Sequence, residues 1–195
     1  MKRKTDRRTL YTMSVIKDAF LELIDRMSFE KINVTNICKQ AEISRATFYL
    51  HYENVEDVLD QVIDDALMFS EEGRGTVIDV VDAIRSGNAD ELRKDETILP
   101  ACQRIADSER YHRLFLDPSL SEHIIQRIAA HEKERVVPEF MERSRVTEEE
   151  AEMLFRFILH GSFAVNQRLG WNKDNCWYQY QSLLARFING GIHAL

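Results

Sequence analysis

A chain of 195 residues, 44% hydrophobic and 30% charged, has the balance of a globular protein that can bury a core in one large or two small domains. Its three cysteines, Cys38, Cys102 and Cys176, lie far apart with no CxxC pair, which argues against a disulfide framework or zinc finger and fits a reducing cytoplasm. The charged start (Lys2, Arg3, Lys4, Arg7, Arg8) is followed by no apolar run and no stretch of about 18 apolar residues occurs, so neither a signal peptide nor a membrane span is expected.

The net charge of −7 argues at first against a nucleic-acid partner, but its distribution does not. Residues 1–53 hold ten Lys/Arg and seven Asp/Glu, a balance of +3, and the remainder carries −10. A basic head is drawn to phosphate while an acidic body is repelled from it. The arm before Thr9 is either a further phosphate contact or a frayed tail.

The run Ile37-Cys38-Lys39-Gln40-Ala41-Glu42-Ile43-Ser44-Arg45-Ala46-Thr47-Phe48-Tyr49-Leu50-His51-Tyr52 reads as two short helices joined by a tight turn. Ile37 and Ala41 share one face of the first, and Cys38 is small where the helices approach. Ser44 is a good N-cap for the second, and Phe48, four residues on, packs back against the first. Arg45, Thr47, Tyr49 and His51 remain as the outward or flanking set. In a helix-turn-helix the second helix enters the major groove with its N-terminal residues toward base edges. Arg45 can donate twice to a guanine, Thr47 can meet a base or a thymine methyl, and Tyr49 and His51 can reach phosphate oxygens.

From about Thr9 to Leu59 the sequence resembles the DNA-binding domain of the tetracycline-repressor (TetR) family. The likeness lies in a first helix over Thr9–Met27, the core INVTNICKQAEISRATFYLHY and the following ENVEDVL, with Phe48-Tyr49-x-His51-Tyr52 its most specific part. The resemblance implies an all-α fold: a three-helix DNA-binding domain over 1–53 and a helical effector-binding and dimerisation domain over 54–195. It also implies DNA contacts at Thr35, Arg45, Ala46, Thr47, Tyr49 and His51, with Ser44 beside them at the helix start. Two positions depart from the family. Glu42 stands where the turn usually has Gly, and Val55 stands where a phosphate-binding Lys is usual. A left-handed Glu42 would cost roughly 1–2 kcal/mol.

Beyond the motif helical spacing dominates, and seven glycines and three prolines leave few breaks. Val55, Val58, Leu59, Val62, Ile63, Ala66 and Leu67 form a stripe capped by Asn54, predicting a helix to about Ser70. Glu71–Thr76 reads as a break, Thr76–Arg85 as a short helix closed at Ser86-Gly87-Asn88, and Thr97–Ala106 and Tyr111–Leu116 as further short helices. Ser121–Ser144 is a long helix that Pro138 is expected to kink or restart. Thr147, with Glu148, Glu149 and Glu150 in the first turn, starts a helix to about Leu169. A last helix over Cys176–Asn189 is expected to stop at Gly190-Gly191. The sum is about nine helices and no sheet.

The last two helices are apolar on more than one face and must be buried twice, which makes them the expected homodimer seam. Leu154, Ile158, Gly161, Val165, Leu169, Trp177, Tyr180, Leu184 and Phe187 are the candidates. Two such hairpins would pair two reading heads on a palindromic operator in double-stranded DNA. The resemblance further implies a small-molecule effector in the body, with Phe69, Leu99, Cys102, Tyr111, Phe115, Phe140, Phe157 and His160 as candidate lining. His123 and His131 lie two turns apart, too far to share an ion easily, so no metal and no cofactor is expected. No nucleophile elbow, phosphate-cradling glycine loop or metal cluster points to an enzyme. The expected function is a ligand-responsive repressor. The alternatives are an activator of a small metabolic operon working with a co-activator, or a helical interaction module whose head has lost DNA binding.

Overall fold

A computed structural model describes residues 7–70 and 99–195, apart from the side chains of Phe69, Ser70 and His193. The expected break at Glu71–Thr76 and helix Thr76–Arg85 lie outside the described residues, as does the Phe69 side chain. The described residues form nine α-helices and no strand: α1 (Arg7–Ile24), α2 (Val34–Gln40), α3 (Arg45–Tyr49), α4 (Val55–Ser70), α5 (Ala101–Asp107), α6 (His112–Leu116), α7 (Ser121–Arg143), α8 (Glu148–Arg168) and α9 (Asn175–Ala194). Two 3₁₀ turns, Phe29–Lys31 and Pro118–Leu120, precede α2 and α7.

Five of the helix starts, on α2, α3, α4, α8 and α9, are set by short polar side chains that satisfy free first-turn amides. Asn33 accepts from the Asn36 amide at 3.0 Å and Asn36 returns the bond at 3.2 Å, a reciprocal box at the start of α2. Asn54 accepts from the Asp57 amide at 2.8 Å, starting α4. Thr147 and Glu150 form the same reciprocal box on α8, and Asp174 accepts from the Trp177 amide at 2.8 Å on α9.

Three helix ends differ from expectation. Helix α1 stops at Ile24, and the Arg26 and Met27 amides instead close a tighter turn on the Leu23 carbonyl. Helix α5 begins only at Ala101, after Pro100, because a proline disfavours helical backbone in the residue before it. Helix α9 runs through Gly190-Gly191 to Ala194, and α7 passes Pro138 without a break. Burial of Ile192, the residue just after that glycine pair, supports the α9 extension by adding core contact.

One continuous core joins head and body. Helix α4 packs on α1 on one side and on α5 and α7 on the other. Its stripe of Val58, Leu59, Val62, Ile63, Ala66 and Leu67 is buried throughout. Phe20 and Phe48 fill the head, each contributing about 1.5–3 kcal/mol by leaving water. Phe115, Phe163 and Trp171 meet in the body with ring centroids 4.8–5.9 Å apart. The Trp171 indole N–H donates to the Phe115 carbonyl at 3.1 Å.

Candidate nucleic-acid interface

The turn between α2 and α3 is closed by its own backbone. The Ile43 amide bonds the Cys38 carbonyl at 3.0 Å and the Glu42 amide reaches the Lys39 carbonyl at 3.4 Å, the Schellman pattern. That closure requires left-handed backbone at Glu42, which has φ 52°. A Glu therefore occupies the conformation usually given to Gly, and the turn keeps the expected path at a local cost of roughly 1–2 kcal/mol.

Helix α3 is one and a half turns long and is held by its flanks. Ser44 accepts from the Thr47 amide at 3.0 Å, and the two hydroxyls lie 2.9 Å apart. Phe48 is fully buried, edge-on to Tyr49 at 5.5 Å and tilted against Tyr52 at 5.8 Å. Around buried Phe48, Ser44, Arg45, Ala46 and Tyr49 are exposed, with Thr47 and His51 half-buried beside them. Thr35 is exposed on α2, and so is Lys39 one turn later. Lys39 was readable from its spacing four residues after Thr35, yet the motif alone does not single it out. Leu50, 80% exposed just beyond α3, is also prominent.

Arg45 is not loose on this face. Its Nη2 donates to the Tyr49 hydroxyl at 3.3 Å, and its guanidinium carbon lies 5.9 Å from the ring centroid. The hydrogen bond from Arg45 to Tyr49 raises the guanidinium pKa further, so the charge is permanent. A fixed cation with a bidentate donor fork, framed by small polar residues at a helix start, is the chemistry that reads a guanine edge. Cys38, behind the turn, is buried, and burial pushes its thiol pKa up. It is a packing residue there.

The body residues divide differently. Leu99, Cys102, Tyr111, Phe115 and Phe140 are buried, and burial pushes the Cys102 thiol up to about 12. Phe157 and His160 are corrected: Phe157 is 67% exposed and His160 faces solvent, because they fall on the arc of α8 opposite Phe155, Leu159 and Phe163. Leu99 packs with Trp177 and Ala185 rather than with the Phe115 cluster. Beside Phe115, between α4, α5 and α7, an apolar void of about 10 Å³ remains, the size of a single water.

Of the seam candidates, Gly161, Tyr180 and Phe187 face outward, and Leu154, Val165, Leu169 and Leu184 are half-buried. Ile158 and Trp177 are corrected, for both are buried within their own chain. Trp177 turns inward because buried Asn166 accepts its indole N–H at 2.7 Å, alongside the Gln181 amide at 3.0 Å. The outward apolar stripe instead includes Met153, Phe157 and Leu183. Periodicity marks both faces of such a helix but not which one its own chain covers.

Among the described residues no group of three or more His, Cys, Asp and Glu is placed to hold a metal ion. No helix among them is long and apolar enough to cross a membrane. His123 instead meets Asp60, Nε2 to Oδ1 at 2.5 Å, linking α7 to α4.

Fold and site together define an all-helical protein with an amino-terminal helix-turn-helix, the architecture of DNA-binding transcription regulators. Comparison with known proteins agrees at that level. No family model matches the chain. It is 34% identical over 62 residues to YxbF of Bacillus subtilis (strain 168), an uncharacterised HTH-type transcriptional regulator, a stretch of 31% of this chain and 16% of YxbF. It is 29% identical over 59 residues to DhaS of Lactococcus lactis subsp. lactis (strain IL1403), the HTH-type transcriptional activator of the dhaKLM operon. That match covers 30% of this chain and 32% of DhaS, so the chain spans under a third of either curated relative. The solved structure of a dihydroxyacetone kinase operon activator DhaS overlies 95% of this chain and 98% of its own, with a TM-score of 0.54 and 16% identity, and shares its fold.

Proposed function

We propose that this protein is a sequence-specific DNA-binding transcription regulator of the TetR kind, acting as a homodimer on a palindromic operator. The observation that carries the reading is the outward face of α3, where Ser44, Arg45, Ala46 and Tyr49 stand exposed on a helix anchored by Phe48. In this reading Arg45 meets a guanine, Ala46 and Thr47 meet neighbouring base edges, and Thr35, Ser44 and His51 meet backbone. Tyr49 supports Arg45 and flanks the phosphates. The acidic body keeps DNA contact confined to the head.

The outward stripe of Met153, Phe157, Tyr180, Leu183 and Phe187 is the homodimer seam in this reading. Gly161, exposed with nothing within 4 Å of an added Cβ, allows close helix approach. A two-fold axis through it pairs the heads. A small molecule held in the body among Cys102, Tyr111, Phe115 and Phe140 would bind one head spacing better than another. A tenfold change in operator affinity needs about 1.4 kcal/mol of such difference. Repression by covering a promoter is the lead sense of regulation. Activation is the second reading, favoured by the role of the relative DhaS as an operon activator.

The test is selection of bound duplexes from a random pool by the full chain at moderate salt. Recovery of a palindrome with two half-sites is expected, with affinity falling steeply as salt rises. Absence of enrichment at every salt concentration would sink the reading and favour a helical interaction module.

A further inference from the structure

The 3₁₀ turn Phe29–Lys31, which leads the chain into α2, lacks a cap of its own. Ser28 occupies the cap position, but its side chain makes no capping bond. The Phe29 amide is satisfied from the body instead: it donates to Asp117 Oδ2 at 2.8 Å, across 88 positions of sequence. The other oxygen of the same carboxylate caps the body's own turn Pro118–Leu120, accepting from the Ser119 amide at 3.0 Å and its hydroxyl at 2.7 Å. One carboxylate thus holds two helix starts, one on each side of the head–body junction. An anionic acceptor at a helix start is the stronger kind of cap.

Asp117 is placed at both ends. On the head side, Phe29 packs edge-on against Phe20, 6.2 Å away, in the core behind the helix-turn-helix. On the body side, Asp117 follows α6 by one residue, and the Phe115 carbonyl in α6 accepts from Trp171. Trp171 sits in the turn between α8 and α9 with φ 58°, in the hairpin read above as the dimer seam. Two exposed ion pairs flank the tie, Arg110 with Asp18 and Arg113 with Asp25, the latter at 3.8 Å. Exposed pairs of this kind contribute little, so the half-buried Asp117 tie is the specific one.

We propose that Asp117 is a positioning residue, a cap the reading head borrows from the body, through which the body sets where the head stands for docking. The inference rests on the proposed function for its DNA readout but not for its structural one. A change in the α8–α9 hairpin reaches the head from Trp171 to Phe115 by a hydrogen bond and a packed ring, from Phe115 to Asp117 along two residues of chain, and from Asp117 to Phe29 by a hydrogen bond. The carboxylate belongs to the body, so a movement of α6 moves the amide that opens the path into α2.

The test uses full-length Asp117→Ala and Asp117→Asn, the second keeping one acceptor oxygen where the carboxylate offers two, enough for the Phe29 amide or for Ser119 but not for both. Hydrogen exchange at the Phe29 amide should quicken about tenfold in Asp117→Ala and much less in Asp117→Asn, as expected for loss and retention of a cap. Duplexes carrying the selected palindrome, the same palindrome with one base pair added between half-sites, and a single half-site are then compared. Asp117→Ala should lose about tenfold on the palindrome and discriminate less between the two spacings. Its single-half-site affinity should stay within about twofold, and Asp117→Asn, with one acceptor for two starts, should recover part of the spacing preference. Unchanged exchange at Phe29 overturns the proposal. So does equal loss on single and paired sites, which would mean a damaged head rather than a displaced one. If the wild-type chain selects no paired site, the proposed function fails and the exchange comparison alone decides whether the head borrows its cap.

Discussion

Arg45 and Glu42 show how differently two residues of one motif can be read. Arg45 was identifiable from its place just after a cap, in the first turn of α3, where it is exposed. Its pairing with Tyr49 was not, since the motif points both side chains at DNA and says nothing of their meeting at 3.3 Å. Arg45→Ala should weaken specific binding by about 1–3 kcal/mol and relax one base position. An unchanged footprint and affinity would remove it from the contact face. Glu42 is held at φ 52° by the two backbone bonds that close the turn, so Glu42→Gly should relieve strain. The net gain, after the greater freedom of an unfolded glycine, is about 0.5–1 kcal/mol, or about 1–4 °C in melting temperature. A lower melting temperature would show that the Glu42 side chain contributes more than its backbone costs.

At the scale of elements, helix starts were easier to place than helix ends. Ser44, Asn54 and Thr147 each cap where their spacing to the following apolar stripe predicts, because a cap acts within three residues. Ends depend on what the last turn finds to pack against. Helix α9 continues past Gly190-Gly191 to a buried Ile192, and the glycines could not announce that. The α8 box is the most reciprocal of these starts: Thr147 Oγ1 accepts from the Glu150 amide at 3.3 Å, and the Glu150 carboxylate accepts from the Thr147 amide at 2.8 Å. The Thr147 amide, and its hydroxyl at 2.9 Å, donate to the Glu150 carboxylate and hold its pKa below its ordinary range. Thr147→Ala should cost about 1 kcal/mol, read as a lower urea midpoint at unchanged slope. A slope that changes as well would point to loss of two-state unfolding instead.

Across the whole molecule, the exposed stripe on α8 and α9 carries the clearest prediction. Phe187 is 69% exposed in the single chain, so Phe187→Asp should leave the fold of each protomer intact. In solution it should sediment as a monomer while the wild-type chain sediments as a dimer. A variant that stays dimeric would place the seam on another face. The monomer's melting temperature should then fall only as far as loss of the partner requires.

What could be read from residues alone was whatever acts over a turn or two of chain: the all-helical class, the helix-turn-helix with Ser44 and Phe48 fixing which side of α3 faces out, and the cap positions. These are local because capping bonds and the 3.6-residue period are local. Which arc of a two-faced helix its own chain covers is not, since that depends on the partner it meets across the fold. Hence Trp177 and Ile158 lie inside, Phe157 and His160 lie outside, and Asp117 caps a turn 88 positions away.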